Sequence, residues 1–200
     1  MHAILRPASR RCPPRRLRAG GATMIEFALT LPLFLLFMLG TFEVARALYL
    51  WSVLANATAV AARGAAVIDA TDQGALGTLA QAAGIAARAG GMALGSAARP
   101  DARIVITHLA ADFAPVALLP ACPAQNIVNC NANPNGNNCV RFVQAQLCAP
   151  GAGACVPASY KPLFTGSALL QGLTYPTFAT ITPAASLGHQ AGSTEVCPGP

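Results

Sequence analysis

An apolar run dominates the first quarter of the chain. Residues 22–42 hold a single charged side chain, Glu26, and an apolar stripe at helical spacing continues from Ala47 to about Val67. At about 1.5 Å per residue, residues 22–42 would form a helix about 31 Å long, which matches the hydrocarbon thickness of a bilayer. Pro32 lies inside the run, and membrane helices tolerate proline. The pattern predicts one helix over 22–67, with a membrane-spanning first half and an amphipathic second half.

Shorter and mixed patterns follow over residues 68–200. Residues 69–77 form a polar break, and the alanine-rich segment 79–94 has helical periodicity. Strands are predicted over 103–109 and 139–148, and a third strand-like segment over 173–182 is interrupted by Pro176. Residues 115–134 are interpreted as a loop. We therefore predict an α+β fold, in which the long N-terminal transmembrane and amphipathic helix precedes a small disulfide-stapled head with a short antiparallel sheet.

The positive charge of the chain is confined to its N-terminus. The formal net charge is +6, and six arginines of the first 18 residues account for all of it. These residues are Arg6, Arg10, Arg11, Arg15, Arg16 and Arg18. A basic segment before an apolar helix stays on the cytoplasmic side, so the head is expected outside the cytoplasm. Because the rest of the chain is neutral, no basic face is expected on the head, and we predict no nucleic-acid partner.

Six of the seven cysteines lie beyond the apolar run. They are Cys122, Cys130, Cys139, Cys148, Cys155 and Cys197. No C-x-x-C pair occurs among them, which argues against a structural zinc site. An even number beyond a membrane segment indicates disulfides in an oxidising compartment, although six cysteines allow about 15 pairings. Unpaired buried thiols are the alternative interpretation, and we favour disulfides.

The head contains few side chains that could catalyse a reaction. His108 falls in a predicted strand without an acid at ligand-like spacing, so we interpret it as a structural or surface histidine. Asp69 and Asp72 fit a helix cap and turn better than a catalytic carboxylate pair. Neither G-x-S-x-G nor G-x-x-x-x-G-K-[ST] is present in the sequence. We expect no catalytic residues, no metal ligands and no cofactor, and a protein that is not an enzyme.

The segment around the start of the apolar run resembles a known family. The sequence resembles the cleavage site of type IV prepilins, because a basic leader ends at Gly21 and Glu26 and Phe27 follow after four residues. Residues 20–67 resemble the TadE family, pseudopilins of the tight adherence (Flp pilus) system. The resemblance rests on Ile25-Glu26-Phe27-Ala28-Leu29, on Glu43-x-x-Arg46 and on Ala61-Ala62-Arg63-x-Ala65-Ala66. The cysteine-rich loop 122–155 matches no part of the family pattern.

The resemblance implies how the precursor is processed and how it assembles. A prepilin peptidase would cut between Gly21 and Ala22, which makes residues 1–21 a leader and Glu26 the fifth mature residue. In pilins, the corresponding acid is expected to pair with the N-terminal amine of a neighbouring subunit, so the resemblance makes Glu26 and Phe27 the candidate assembly residues. Other pilins or pseudopilins of the same system would then be partners through the N-terminal helix. The chain would cross the inner membrane once, with its N-terminus cytoplasmic and its head, residues 68–200, periplasmic.

A second acid in the predicted helix has a partner of its own. Glu43 and Arg46 lie three residues apart, where two side chains share one helix face. We interpret them as a self-satisfied pair at the outer membrane interface, in preference to a second contact between subunits.

Two other functions remain as alternatives at this stage. The chain could be an unprocessed, membrane-anchored periplasmic binding or adhesion module whose loop 122–155 recognises a ligand. It could also be a membrane-anchored enzyme, which the scarcity of acids, bases and nucleophiles disfavours. Processing at Gly21 separates the first alternative from a structural pseudopilin.

Overall fold

A computed structural model of the chain describes residues 21–89, 102–151, 153–160, 162, 172–184, 186–189 and 197. Nearly all of the predicted basic leader, residues 1–20, lies outside the described residues. The chain divides into two compact units, Met1–Phe42 and Glu43–Pro200, which are described separately.

In the first unit, the described residues form one helical segment. The helix α1 comprises Ala22–Ala65, and residues 22–42 belong to this unit. Its large apolar side chains are exposed to the surroundings, as they would be against lipid. The hydroxyls of Thr30 and Thr41 donate to the carbonyls of Glu26 and Phe37 at 2.8 and 3.0 Å, so both polar groups are satisfied within the helix. In the described part of the chain, α1 is the one helix long and apolar enough to cross a membrane, which suggests a membrane anchor.

In the second unit, residues 43–65 of α1 bury one stripe in the core. Leu50, Leu54, Ala57 and Ala61 follow one another at intervals of three or four residues, and all four are buried. This spacing places them on one helix face, as the amphipathic pattern predicted. The stripe packs against a cluster that includes residues of the sheet and of the second helix.

The second helix, α2, comprises Gln73–Ala89. Its start is fixed by Asp72, whose carboxylate accepts a hydrogen bond from the backbone N–H of Ala75 at 2.9 Å. The polar break is therefore shorter than predicted, because Gln73–Gly77 already belong to the helix. A side chain at Gly64 of α1 would come within 2.9 Å of the methyl carbons of Leu79, so glycine allows the two helices to approach closely here.

Three antiparallel strands form the sheet in the order β1-β2-β3. They are β1 (Arg103–Leu109), β2 (Phe142–Cys148) and β3 (Ala179–Pro183). Strand β1 agrees with the prediction. Strand β2 begins three residues later than the predicted 139–148, and only the end of the predicted segment 173–182 forms β3. Cross-strand pairs such as Ile106 with Ala145 place apolar side chains towards the helices.

A third helix, α3, comprises Pro123–Ala132, so the prediction of a loop over 115–134 is wrong for this segment. Its sequence is polar and lacks an apolar stripe, but tertiary contacts hold it. The side chain of Asn126 is buried, accepts a hydrogen bond from the N–H of Val140 at 2.8 Å and donates to its carbonyl at 3.2 Å. A disulfide between Cys130 and Cys139 joins the same two segments.

All six cysteines beyond α1 are paired in disulfides. The pairs are Cys122–Cys197, Cys130–Cys139 and Cys148–Cys155. Their Cα atoms lie 5.5, 4.9 and 5.0 Å apart, within the usual range for disulfides. The observed fold is the predicted one: a long N-terminal apolar helix and a small disulfide-linked head with an antiparallel sheet.

Candidate functional site

The predicted cleavage site lies at the entrance of α1. Gly21 occupies an exposed turn, and the helix begins at the next residue, Ala22. The carbonyl of Gly21 accepts a hydrogen bond from the N–H of Ile25 at 3.4 Å. A side-chain carbon added at Gly21 would have no atom within 4 Å. The fold itself therefore does not require glycine at this position.

The predicted assembly residues Glu26 and Phe27 lie in the second turn of α1. Both are exposed, Phe27 to 62% of its surface. Among the described residues, no donor pairs with the carboxylate of Glu26. A charge inside a membrane helix costs about 2.5–3.5 kcal/mol on insertion scales, so an acid without a partner would carry that cost in lipid.

Glu43 and Arg46, in contrast, belong to a buried polar cluster of the second unit. One Nη atom of Arg46 lies 3.2 Å from the carboxylate of Glu43 and donates to it, and Glu43 is only 4% exposed. The phenol of Tyr160 donates a second hydrogen bond to the same carboxylate oxygen. Arg46 also donates to the Tyr160 oxygen at 3.2 Å, and its guanidinium lies 5.8 Å from the centre of the tyrosine ring. The three side chains form what we call the Glu43 cluster.

A short backbone ladder positions the tyrosine of the Glu43 cluster. The N–H of Tyr160 donates to the carbonyl of Leu173, and the N–H of Tyr175 donates to the carbonyl of Ala158, both at 2.8 Å. The rings of Tyr160 and Tyr175 pack edge to face with their centres 5.4 Å apart. The segments around residues 159 and 174 are thereby tied to α1 at Glu43.

Burial sets the acid–base behaviour of both tyrosines. Burial and the hydrogen bond to the Glu43 carboxylate raise the pKa of Tyr160 to about 12. Burial and the neighbouring Tyr160 raise the pKa of Tyr175 to about 12. Both phenols are therefore neutral at physiological pH, and that of Tyr160 acts as a hydrogen-bond donor.

Sequence reasoning missed Tyr160. The residue lies 117 positions after Glu43, in a segment without a recognisable motif. The spacing of Glu43 and Arg46 indicated that these two side chains meet, but no pattern in the sequence indicated a third member of the cluster.

The other polar residues considered from the sequence are Asp69, Asp72 and His108. Asp72 caps α2, and Asp69 accepts hydrogen bonds from the N–H and hydroxyl of Thr71 at 2.9 Å. His108 is buried on the helix-facing side of β1, and burial lowers its pKa despite an opposing effect of the Asp69 charge. Within the described ranges, no group of three or more His, Cys, Asp or Glu side chains could hold a metal ion.

Comparison with known families identifies the N-terminal helix. Residues 21–63 match the family model of the TadE-like proteins. This match confirms the resemblance predicted from the sequence, and it covers α1 from its entrance almost to its end. No curated protein and no solved structure matches the chain.

The TadE-like segment, residues 21–63, contains the residues predicted for cleavage, for assembly and for the ion pair on the helix. These are Gly21, Ala22, Glu26, Phe27, Glu43 and Arg46. The six cysteines and Tyr160 lie outside the TadE-like segment, in the part of the chain without a family match. The family resemblance therefore rests on α1 and does not extend to the head.

Proposed function

We propose that this protein is a TadE-like minor pseudopilin, a structural membrane component of Flp or tight-adherence pilus biogenesis. The observation that carries the proposal is the family match over residues 21–63, which coincides with one long apolar helix. The described residues of the head add no grouping of acids, bases and nucleophiles that would favour an enzyme.

In this function, a prepilin peptidase cuts after Gly21. The exposed turn at Gly21, directly before the first helical residue, supports access by a protease. Cleavage removes all six leader arginines, so the net charge of the chain falls from +6 to zero. It also creates an amine at Ala22, four residues before Glu26.

Glu26 then acts in assembly. Its carboxylate has no partner among the described residues of its own chain, and burial in lipid or between helices would be costly. The new amine of a neighbouring subunit offers a compensating charge, and such a pair fixes the axial register of two helices. Other pilins or pseudopilins are therefore the partners of this helix.

The proposed location is the cytoplasmic membrane, with the leader inside and the head in the periplasm. The basic leader supports this orientation, since positive charge stays on the cytoplasmic side. The three disulfides of the head support the same orientation, because they persist in oxidising compartments.

N-terminal sequencing of the protein from cells with an active prepilin peptidase tests the proposal. The mature chain should begin at Ala22, and Gly21→Val should leave the precursor uncut. Because a side chain at Gly21 meets no atom within 4 Å, this change should not disturb the fold. Gly40→Val is the control, since Gly40 is equally unhindered and lies in α1, the helix that follows Gly21.

Two results would contradict the proposal. An intact N-terminus in the wild type would favour the unprocessed membrane-anchored binding module. Normal cleavage of the Gly21→Val variant would show that a different protease cuts the chain.

A further inference from the structure

Among the described residues, both outer strands of the three-stranded sheet leave part of their outer edge unpaired. In β1, the backbone groups of Thr107 and its alternate neighbours face β2, whereas those of Ile104 and Ile106 face away from it. Among the described residues, no donor or acceptor bonds to these groups of Ile104 and Ile106. A cleft of about 390 Å³ runs along this edge between α2 and the segment after Pro115. No other described segment therefore covers the edge of β1 at Ile104 and Ile106.

The open edge of β1 has a defined length. At its far end, the N–H of Val116 donates to the carbonyl of His108 at 3.0 Å, so the chain's own segment already occupies the edge there. Strand β1 begins at Arg103. Five residues, 103–107, remain for pairing with another strand.

The outer edge of β3 has the same length as the unpaired part of the β1 edge. Strand β3 has five residues, and the backbone groups of Ala179 and Ile181 face away from β2. These groups also lack a hydrogen-bond partner in the described part of the chain. Pro183, the last residue of β3, has no N–H to leave unpaired, as is usual for a proline on an edge strand.

Within the described residues, each edge is protected at one end only, where the segment at Val116 covers β1 and where Pro183 ends β3. Natural edge strands are commonly blocked by charged side chains, bulges or a covering segment. Strand β3 has no charged residue, and its Ile181 is 44% exposed. The one charge on the open part of β1 is Arg103, whose guanidinium already donates to the carbonyls of Ala149 and Gly153.

We propose that the β3 edge of one copy of this chain pairs with the β1 edge of a second copy, so that the sheets of successive heads become continuous. The occupant of the β1 edge is thus a second copy of this chain. The pairing does not depend on processing at Gly21.

The strand directions fix the geometry of this pairing. Both β1 and β3 are antiparallel to β2, so they run parallel to each other. A second head in the same orientation therefore places its β1 parallel to β3 of the first, with the helices of both heads on one side of the sheet. Antiparallel pairing would put the helices of the two heads on opposite sides.

Aligning the two five-residue segments gives three backbone hydrogen bonds. The N–H of Ile104 donates to the carbonyl of Ala179, and the N–H of Ile106 donates to the carbonyl of Ile181. The carbonyl of Ile104 accepts from the N–H of Ile181. The fourth position falls at Pro183, which has no N–H to donate.

This contact joins two different surfaces of the chain. Such a head-to-tail interface leaves one free edge at each end, so it propagates into a ring or a filament. In a two-fold dimer, β1 of one copy would instead pair with β1 of the other, and no further copy could be added through that edge.

Cysteine cross-linking between two differently tagged copies tests the proposal. Alignment of the strands places Val105 of one copy beside Ile181 of the other, with Cα atoms about 4.8 Å apart, within disulfide range. Val105→Cys and Ile181→Cys chains, each in a Cys12→Ser background, would be coexpressed at full length and oxidised mildly in membranes. Neither side chain is fully buried, so the fold should persist, and the fluorescence of Trp51 checks this.

We expect a disulfide-linked dimer that contains both tags. Pairing raises the effective concentration of the two thiols, so this dimer should be about tenfold or more abundant than dimers of either variant alone. Peptide mass spectrometry should locate the new disulfide at positions 105 and 181.

Gln146→Cys is the matched control. Gln146 lies opposite Val105 on the central strand and shares its solvent-facing side of the sheet. Combined with Ile181→Cys chains, it should give no dimer above background, because a central strand has no open edge.

Two outcomes would overturn the proposal. Absence of the mixed dimer in correctly folded chains would show that the two edges do not pair. A dimer of Val105→Cys chains alone would show pairing of β1 with β1, which is a different assembly.

Discussion

The phenol of Tyr160 should contribute measurably to the stability of the head. Tyr160→Phe removes the hydroxyl that donates to the buried Glu43 carboxylate and keeps the ring that packs on Tyr175. A hydrogen bond to a charged group contributes about 1.5–3 kcal/mol, because its loss leaves a buried charge less well solvated. We therefore expect the free energy of unfolding to fall by about this amount.

The single tryptophan gives a direct assay for this loss. Trp51 lies on α1, and its ring packs edge-on against Phe178 with the centres 6.3 Å apart. Its fluorescence should change when the head unfolds and this contact breaks. For a domain of this size, each kcal/mol lowers the Tm by about 2–4 °C, so Tyr160→Phe should lower it by about 3–12 °C. Thermal unfolding of the full chain in detergent measures the shift.

Tyr49→Phe is the control, because Tyr49 lies on the same helix but is 54% exposed. The hydroxyl of Tyr49 should contribute little to the free energy of unfolding. A Tm for Tyr160→Phe within about 1 °C of the control would refute the reasoning, since a buried donor to a charge cannot be worth so little.

The pH dependence provides a second measurement on the same variant. The unfolded chain ionises tyrosine near pH 10, whereas burial and the Glu43 carboxylate raise the pKa of folded Tyr160 to about 12. Stability is therefore lost as the pH rises from 10 towards 12. Tyr160→Phe should weaken this alkaline loss but leave part of it, because Tyr175 also has its pKa raised to about 12.

Three further predictions concern other parts of the chain. Burial lowers the pKa of folded His108 below its usual 6.5, so the unfolded chain takes up a proton at a higher pH than the folded chain, and stability falls as the solution becomes more acidic. His108→Gln should therefore reduce the difference in Tm between about pH 7.5 and about pH 5.5. An unchanged difference would argue against this role of His108. A disulfide that closes a longer loop restricts the unfolded chain more. Replacing Cys122 and Cys197, which are 75 residues apart, by alanine should lower the free energy of unfolding by about 4.5 kcal/mol, and replacing Cys148 and Cys155, which are 7 apart, should lower it by about 2.4 kcal/mol. Equal losses in denaturant unfolding would contradict this argument. Glu26→Gln should insert into membranes normally but assemble poorly, and wild-type pilus assembly by this variant would count against pairing through Glu26.

Local patterns explain which elements could be predicted from the sequence. The apolar run of α1 and the alternating, β-branched sequence of β1 specify their structures without help from distant residues. Helix α3 could not be predicted in this way, because its polar sequence depends on the Asn126 hydrogen bonds to Val140 and on the disulfide between Cys130 and Cys139.

The same limit applies to the polar sites. The spacing of Glu43 and Arg46 indicated a pair, because residues three apart share a helix face. The contact with Tyr160 depends on the ladder around residues 159 and 174, which brings a distant loop to α1. The disulfide pairing could not be predicted either, because it depends on the positions of α3 and β2 in the folded head.

The two acids of α1 differ in the partners that the described part of their own chain offers. Glu43 has Arg46 and Tyr160 as partners within its own chain, so its burial is compensated internally and serves the fold. Glu26 lies 17 residues earlier in an apolar environment, and the described part of its chain offers no donor to its carboxylate. An acid in lipid needs a compensating charge, and removal of the leader would take away the nearby arginines. We propose that the charge for Glu26 then comes from another molecule, since a neighbouring subunit's new amine at Ala22 is the group that processing itself would create.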